Sequence, residues 1–554
     1  MASETQPRTT GTPRLQRSPL DRIFARRNGL PPANRVSTLP VRIPLRDGIT
    51  LGADLYQPEG PSKGLLLTRG PYGRQRIFSL IGARIFAGQG YSVLNVSSRG
   101  TADSDGEFDP MRTETDDGHD VIAWMRTQPW YPGRFAMIGG SYLGHTQWAV
   151  LSDPPDDLVA CVIQVGPHDF ARHAWGTGTF NLDFIGWSEQ IAVQGAGTGF
   201  LSTLRLRGAA KRLAPILEAL PLVDAADAHF GKSTPWVHDR LTHPDIEDPF
   251  WRNARHADAI ERVNVPVLLL SGWQDIFLRQ TFEQYARLRE RGAEVSMTIG
   301  PWVHLDIAGD ALGIMTREGL ALLDEKLAGR PAARPSPVRV FVTSAGKGTG
   351  EWRELPDWPP AGKKLTLSLR PGVLDAEKST SGAPDSSFTY DPADPTPTVG
   401  GPLIEAGGGY VDDSSLAERS DVLAYTGAEL DADVTVMGSV RVRLAHSTRH
   451  ADADLFVRLS EVDADGHSHN VTETYLRLPG DRGDAPVEVE LLPTAHRFSR
   501  GNKIRLLIAG GSFPHYARNP GTGANPLTTT ELVPNVHTVS HAAGASFIVL
   551  PVVD

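Results

Sequence analysis

The run Gly139-Gly140-Ser141-Tyr142-Leu143-Gly144 constrains this chain more than any other stretch. It follows a strand-like run, Arg134-Phe135-Ala136-Met137-Ile138, and precedes a segment with helical spacing from Tyr142 to Leu151. A serine between glycines at a strand-to-helix corner is how a nucleophile elbow is built, because the tight turn forces strained backbone angles and pushes the hydroxyl outward. Gly139 lets the turn close, and Gly144 lets the helix pack on the strand. The last glycine falls one place later than in G-x-S-x-G, so the run alone also reads as a glycine turn with an idle serine. The two readings part on whether the chain supplies a base, an orienting acid and an oxyanion donor for Ser141.

The surrounding pattern predicts an α/β core. A hairpin is expected from Leu39 to Tyr56 around Arg46-Asp47-Gly48. The apolar runs Gly64–Thr68 and Tyr91–Val96 and the strand into Ser141 then alternate with helical segments near Phe78 to Ala87 and Thr115 to Thr127. Strict alternation of unbroken apolar strands with helices implies a parallel sheet covered on both faces. The rhythm stops after Val165. From about His168 to Arg255 the text is helical and carries Trp175, Phe180, Phe184, Trp187 and Trp236, which reads as a cap inserted between two core strands.

The sheet resumes at Val265 to Ser271 and Val295 to Ile299, with helices from about Gln280 to Arg291 and Ala311 to Leu327. Residues 331–337 have the composition of a linker. Beyond them lie short strands parted by Gly, Pro, Asp and Asn, predicting an antiparallel sandwich. The expected partition is a mobile basic tail over 1–36, core over 37–167 and 256–330, cap over 168–255, linker over 331–337 and a jelly-roll β domain over 338–554.

A serine hydroxyl needs a neighbouring base, and in such sheets the acid and then the histidine follow the nucleophile, each just past the end of a core strand. Asp275, four residues beyond Ser271, and His304, after the strand ending at Ile299, meet that requirement. The backbone N–H of Tyr142 is one expected oxyanion donor. The loop Thr68-Arg69-Gly70-Pro71-Tyr72-Gly73 offers the Tyr72 phenol as the other. His145, on the nucleophile helix, could touch the site but not easily reach Ser141 Oγ, His119 reads as a solvated face, and His168, near the cap entrance, as a possible pocket residue. Asp463-Ala464-Asp465-Gly466 resembles the start of a calcium loop but lacks the later glutamate, so a hairpin turn is expected and no metal site.

Composition excludes other classes. A formal net charge of -10 argues against nucleic-acid binding. The single cysteine, Cys161, lies in an apolar run, so neither an intrachain disulfide nor a zinc-thiolate cluster is expected. No run approaches the ~18 apolar residues of a membrane span, and the arginine-rich start has no signal-peptide centre. A cytoplasmic protein without cofactor is expected, and a homo-oligomer is left open.

On these residues the chain resembles the CocE/NonD family of serine hydrolases. Its G-x-S-Y-x-G elbow is similar to Gly139–Gly144, its acid motif to Gly272-Trp273-Gln274-Asp275, its G-P-W-x-H to Gly300-Pro301-Trp302-Val303-His304, and its oxyanion tyrosine to Pro71-Tyr72. The likeness continues through the cap and the last domain. It implies an α/β-hydrolase core, a helical cap and a C-terminal jelly roll, with Trp175, Trp187 and Phe277 lining an acyl pocket. One departure is Ser97-Ser98-Arg99-Gly100, where the family often writes D-x-R-G, so Arg99 must be held by another group.

The function expected is hydrolysis of a small-molecule carboxylic ester with a hydrophobic or aromatic acyl group. The rivals are an Xaa-Pro dipeptidyl peptidase or acyl-amide hydrolase with the same triad and, more remotely, a non-catalytic carbohydrate-binding protein.

Overall fold

The computed structural model describes residues 15, 19–74, 77–195, 208–231, 234–376, 382–404, 407–480, 483 and 485–554. The core strands are β1 (Val36–Pro44), β2 (Thr50–Pro58), β3 (Leu65–Gly70), β4 (Ser92–Ser97), β5 (Phe135–Gly140), β6 (Leu158–Gln164), β7 (Val267–Gln274) and β8 (Val295–Val303). β1 and β2 form the expected hairpin, and β2 runs antiparallel to β4. From there the sheet is parallel in the order β4-β3-β5-β6-β7-β8. The covering helices include α1 (Pro19–Arg27), α2 (Ile77–Gly88), α3 (Glu114–Arg126) and α4 (Tyr142–Leu151), together with Leu278–Glu290 and Leu312–Lys326. Successive side chains on each strand face opposite sides. Leu67, Leu94, Met137 and Ile163 pack toward one helical layer, and Leu66, Val93, Ala136 and Val162 toward the other.

Between β6 and β7 the chain forms the helices Phe170–Trp175, Asp183–Gly195, Ala209–Glu218, Leu222–Phe230 and Trp236–Thr242. Residues 202–207 of the helix expected from Ser202 lie outside the described residues. The apolar face of this cap packs against Tyr142 and Met111 of the core and against Ala517 and Leu527 far along the chain.

Two elements differ from the expected partition. Val338–Ser344, read as the first strand of the last domain, is β9. It pairs in parallel with β8 through Met297, Thr298 and Ile299, and in turn with Thr494–Phe498. The core sheet therefore runs into the C-terminal domain instead of stopping at the linker. Within the segment expected to be a mobile tail, α1 is an ordered helix: Asp21 accepts from Arg84 of α2 at 2.7 Å, Ala25 is buried, and Arg317 donates to the Asn28 carbonyl at 2.9 Å. Arg8, Arg14 and Arg17 lie outside the described residues.

The C-terminal domain is built of mostly antiparallel strands around its own apolar core, which includes Leu367, Tyr425, Val457, Phe498 and Ile548. In its longest pairing, Ala453–Val462 lies against Ser468–Leu478. Asp463 turns the chain between them, its carboxylate accepting from the Asp465 and His467 amides at 3.0 and 2.9 Å, which is the expected hairpin turn. Among the described residues no helix is long and apolar enough to cross a membrane.

Candidate active site

Ser141 sits between the last residue of β5 and the first of α4 with φ 57° and ψ −121°, a conformation that L-residues adopt only under strain. The surroundings hold it there. Its N–H donates to the Gln164 carbonyl on β6 at 2.8 Å, and its own carbonyl accepts from the Gly144 and His145 amides at 2.8 and 3.1 Å. A β-carbon on Gly144 would stand 2.6 Å from Gly166 Cα, and one on Gly139 2.4 Å from Leu143 Cβ. Neither position admits a side chain, so α4 can approach the sheet closely enough to aim the hydroxyl outward.

Asp275 and His304 arrive beside it from the carboxyl ends of the neighbouring strands. β7 and β8 both run further than the sequence suggests, so each residue directly follows its strand. His304 Nε2 lies 2.9 Å from Ser141 Oγ, and Nδ1 lies 2.7 Å from Asp275 Oδ1. A carboxylate only accepts, so the Nδ1 proton points at Asp275 and the Nε2 lone pair faces the serine. The second carboxylate oxygen accepts from Ser271 Oγ at 2.6 Å, and both side chains are almost fully buried. Asp306 braces the turn after β8 by accepting from the Val303 amide at 2.9 Å. The ring edge of Phe277 meets the imidazole at 5.3 Å between centroids.

Tyr72 reaches the same point from the loop after β3. Its hydroxyl is in hydrogen-bonding contact with Ser141 and accepts from Trp187 Nε1 at 3.2 Å. Burial raises the phenol above its ordinary pKa, outweighing the opposing hydrogen bonds, so it stays a neutral donor at physiological pH. The Tyr142 N–H stands at the first position of α4, where an amide has no intrahelical partner.

The Tyr142 side chain belongs to a network that sequence reasoning missed. Its hydroxyl donates to Glu114 at 2.8 Å and accepts from the Met111 amide at 2.8 Å. The same buried carboxylate takes the Arg69 guanidinium at 2.5 Å and the Ser98 hydroxyl at 3.1 Å. Glu114 thus ties the end of β3, the elbow and α3 together. Arg99, in the departure from D-x-R-G, is held instead by Asp117 through two contacts of 2.6 and 3.1 Å and by Asp47 at 2.7 Å.

The other histidines do not reach Ser141 Oγ. His145 turns its Nδ1 to the Pro167 carbonyl at 3.3 Å and packs on His256, and burial drives its pKa well below the usual range. His168 is buried against Gln284 at 3.1 Å, with its pKa pushed down to about 3 by desolvation. His119, expected on a solvated face, has its Nε2 buried on α3 without a partner.

Two lobes meet at Ser141. The cap-side lobe, about 30 Å³, is lined by Tyr142, Phe170, Phe184, Trp187 and Phe277. The other, about 150 Å³, touches His304 and Leu305 and runs down beside the sheet. Trp187 therefore lines both lobes and Phe277 the cap-side one. Trp175 does not line either lobe. Its indole is turned into the cap core, donating to the Arg240 carbonyl at 2.9 Å and packing on Phe180, because it closes a short helix whose inner face is buried. Phe170 and Phe184 take up the wall. Ile404 lines both lobes from a loop of the C-terminal domain, a contribution with no local signal in the sequence.

Comparison with known proteins matches residues 47–306 to the X-Pro dipeptidyl-peptidase (S15 family) domain and residues 332–548 to the X-Pro dipeptidyl-peptidase C-terminal non-catalytic domain. The chain is 30% identical to the cocaine esterase of Rhodococcus sp. strain MB1 Bresler over 542 residues, covering 87% of this chain and 92% of that one. Two solved structures share its fold. An α-amino acid ester hydrolase matches with a TM-score of 0.80 at 22% identity, over 100% of both chains. An aminopeptidase of a marine sediment Thaumarchaeota archaeon matches with a TM-score of 0.78 at 22% identity, over 94% of this chain and 96% of that one.

Proposed function

The chain belongs to the CocE/NonD family of serine hydrolases, which are carboxylesterase-type enzymes, and on that premise we propose that it cleaves carboxylic esters through an acyl-enzyme on Ser141. Ser141 Oγ attacks the ester carbonyl as His304 Nε2 takes its proton. The imidazolium, steadied by Asp275, then protonates the departing alcohol, and water repeats the sequence to release the acid. Tyr72 and the Tyr142 N–H stabilise the oxyanion. The observation that carries this reading is the unbroken proton path of 2.9 and 2.7 Å from hydroxyl to imidazole to carboxylate.

The acyl group is assigned to the aromatic cap-side lobe. At about 30 Å³ it favours a short hydrophobic acyl group, and a benzoyl-sized one enters only if Trp187 or Phe277 turns aside. The mostly antiparallel C-terminal domain is taken as a jelly roll that braces the core through β9 and supplies Ile404. Labelling by a fluorophosphonate at Ser141 tests the reading; a folded protein that resists the probe revives the binding-protein alternative.

One observation favours a second reading, cleavage of an amide or peptide whose acyl part carries a free amine. Asp183, a cap carboxylate, lines the same small lobe. It already accepts from the Ile404 amide at 3.3 Å and lies 3.8 Å from His515. Faster cleavage of an Ala-Pro anilide than of phenyl acetate favours this reading over the ester.

A further inference from the structure

We infer that the larger lobe houses the leaving alcohol, that it takes an apolar chain of roughly six heavy atoms, and that Asn95 recognises a hydrogen-bond acceptor on that chain. The inference rests on the ester hydrolysis proposed above and names the alcohol side of its substrate.

The lobe lies on the face of the sheet covered by α2 and Leu312–Lys326. Val93, Leu66 and Ala136 form an apolar row across β4, β3 and β5 there, and Ile138 beside Val162 continues it one pleat on across β5 and β6. One pleat nearer the carboxyl edge the same face carries Asn95 beside Thr68, and Gln164 beside Gly140. Polar residues at such positions break the apolar pattern of a sheet buried on both sides, and breaks of that kind concentrate at functional sites. Asn95 is 3% exposed, lines the lobe, and its Nδ2 has no hydrogen-bond partner. A buried N–H without an acceptor is costly, so its retention points to a partner that enters from outside.

Small residues line the space: Gly82 and Ala83 on α2, and Gly139 and Gly140 at the end of β5. At about 150 Å³ and mostly apolar, it has the capacity of a cavity that accepts a benzene-sized group. The side of the site follows from the proton. The leaving oxygen must lie next to the imidazole that protonates it, and His304, Leu305, Ile307 and Ala308 all line this lobe, whereas none of them lines the cap-side one.

The test compares two isomeric esters on the full chain, hexyl acetate and ethyl hexanoate, with p-nitrophenyl acetate as reference. Ser141-dependent turnover of the reference reports the proposed hydrolysis itself; without it, the failure belongs to that reading. With it, kcat/KM should favour hexyl acetate by at least about tenfold. Equal rates, a preference for ethyl hexanoate, or no turnover of hexyl acetate overturn the assignment of the lobe. Asn95→Leu should then lower kcat/KM for 2-propoxyethyl or 4-methoxybutyl acetate about tenfold relative to hexyl acetate. An equal loss on every ester, or no loss on either ether, removes Asn95 from substrate recognition.

Discussion

The indole N–H of Trp187 donates to the phenol oxygen of Tyr72 across 3.2 Å, linking the cap to the loop after β3. An indole can only donate. The contact therefore occupies a lone pair of the phenol and leaves its single proton available for donation. Trp187 thus holds the Tyr72 phenol as well as lining both lobes.

Tyr72→Phe should lower kcat for a short-chain acetate ester by about 10² to 10³ with little change in KM; a loss below about threefold takes the phenol out of the mechanism. Because burial raises the phenol pKa, the neutral donor persists on the alkaline side. The ratio of wild-type to Tyr72→Phe activity should stay level from about pH 7 to 9, as a pH profile of both proteins would show.

Trp187→Phe keeps a ring at the wall but loses the donor. Its kcat should fall by roughly three- to tenfold, the worth of one neutral hydrogen bond, and Trp187→Phe combined with Tyr72→Phe should be no slower than Tyr72→Phe alone. Additive losses in that double-mutant comparison show that Trp187 acts on its own.

Asp275→Asn should cut kcat by about 10⁴, because the amide can donate to Nδ1 and so favours the tautomer with its proton on Nε2, facing Ser141. Steady-state kinetics on a protein with unchanged circular dichroism would check this, and near-wild-type turnover would contradict it.

Glu114→Gln should destabilise the fold by about 3–5 kcal/mol, since it leaves the buried Arg69 guanidinium without its counter-charge. Thermal unfolding at a fixed scan rate should register a lower transition, and the residual native fraction should show reduced kcat because Tyr142 and the end of β3 share that carboxylate.

Much of this site was legible before any coordinates. Ser141, Asp275 and His304 each follow an apolar strand, and side chains placed just beyond parallel strands converge at one edge of the sheet. The missing parts depended on packing. Trp175 and Trp187 look alike in the sequence, yet only the buried face of the helix Phe170–Trp175 decides that the first points away. Ile404 comes from a loop of another domain. β9 looks like any strand after a linker, and only its pairing with β8 joins it to the core. Two signals were present but unused. Pro19 and Asp21 at the start, Arg26 and Arg27 at the end, and apolar Leu20, Ile23 and Phe24 between them spell a helix in the supposed tail. Asn95 interrupts an apolar strand.

The decisive experiment is rapid quenching of the enzyme during turnover of p-nitrophenyl acetate, followed by peptide mass spectrometry. Acetylation confined to the peptide bearing Ser141, one group per chain and absent in Ser141→Ala, is the expected result. Turnover by Ser141→Ala at the wild-type rate, or acetyl groups accumulating on another residue while Ser141 stays free, would contradict it.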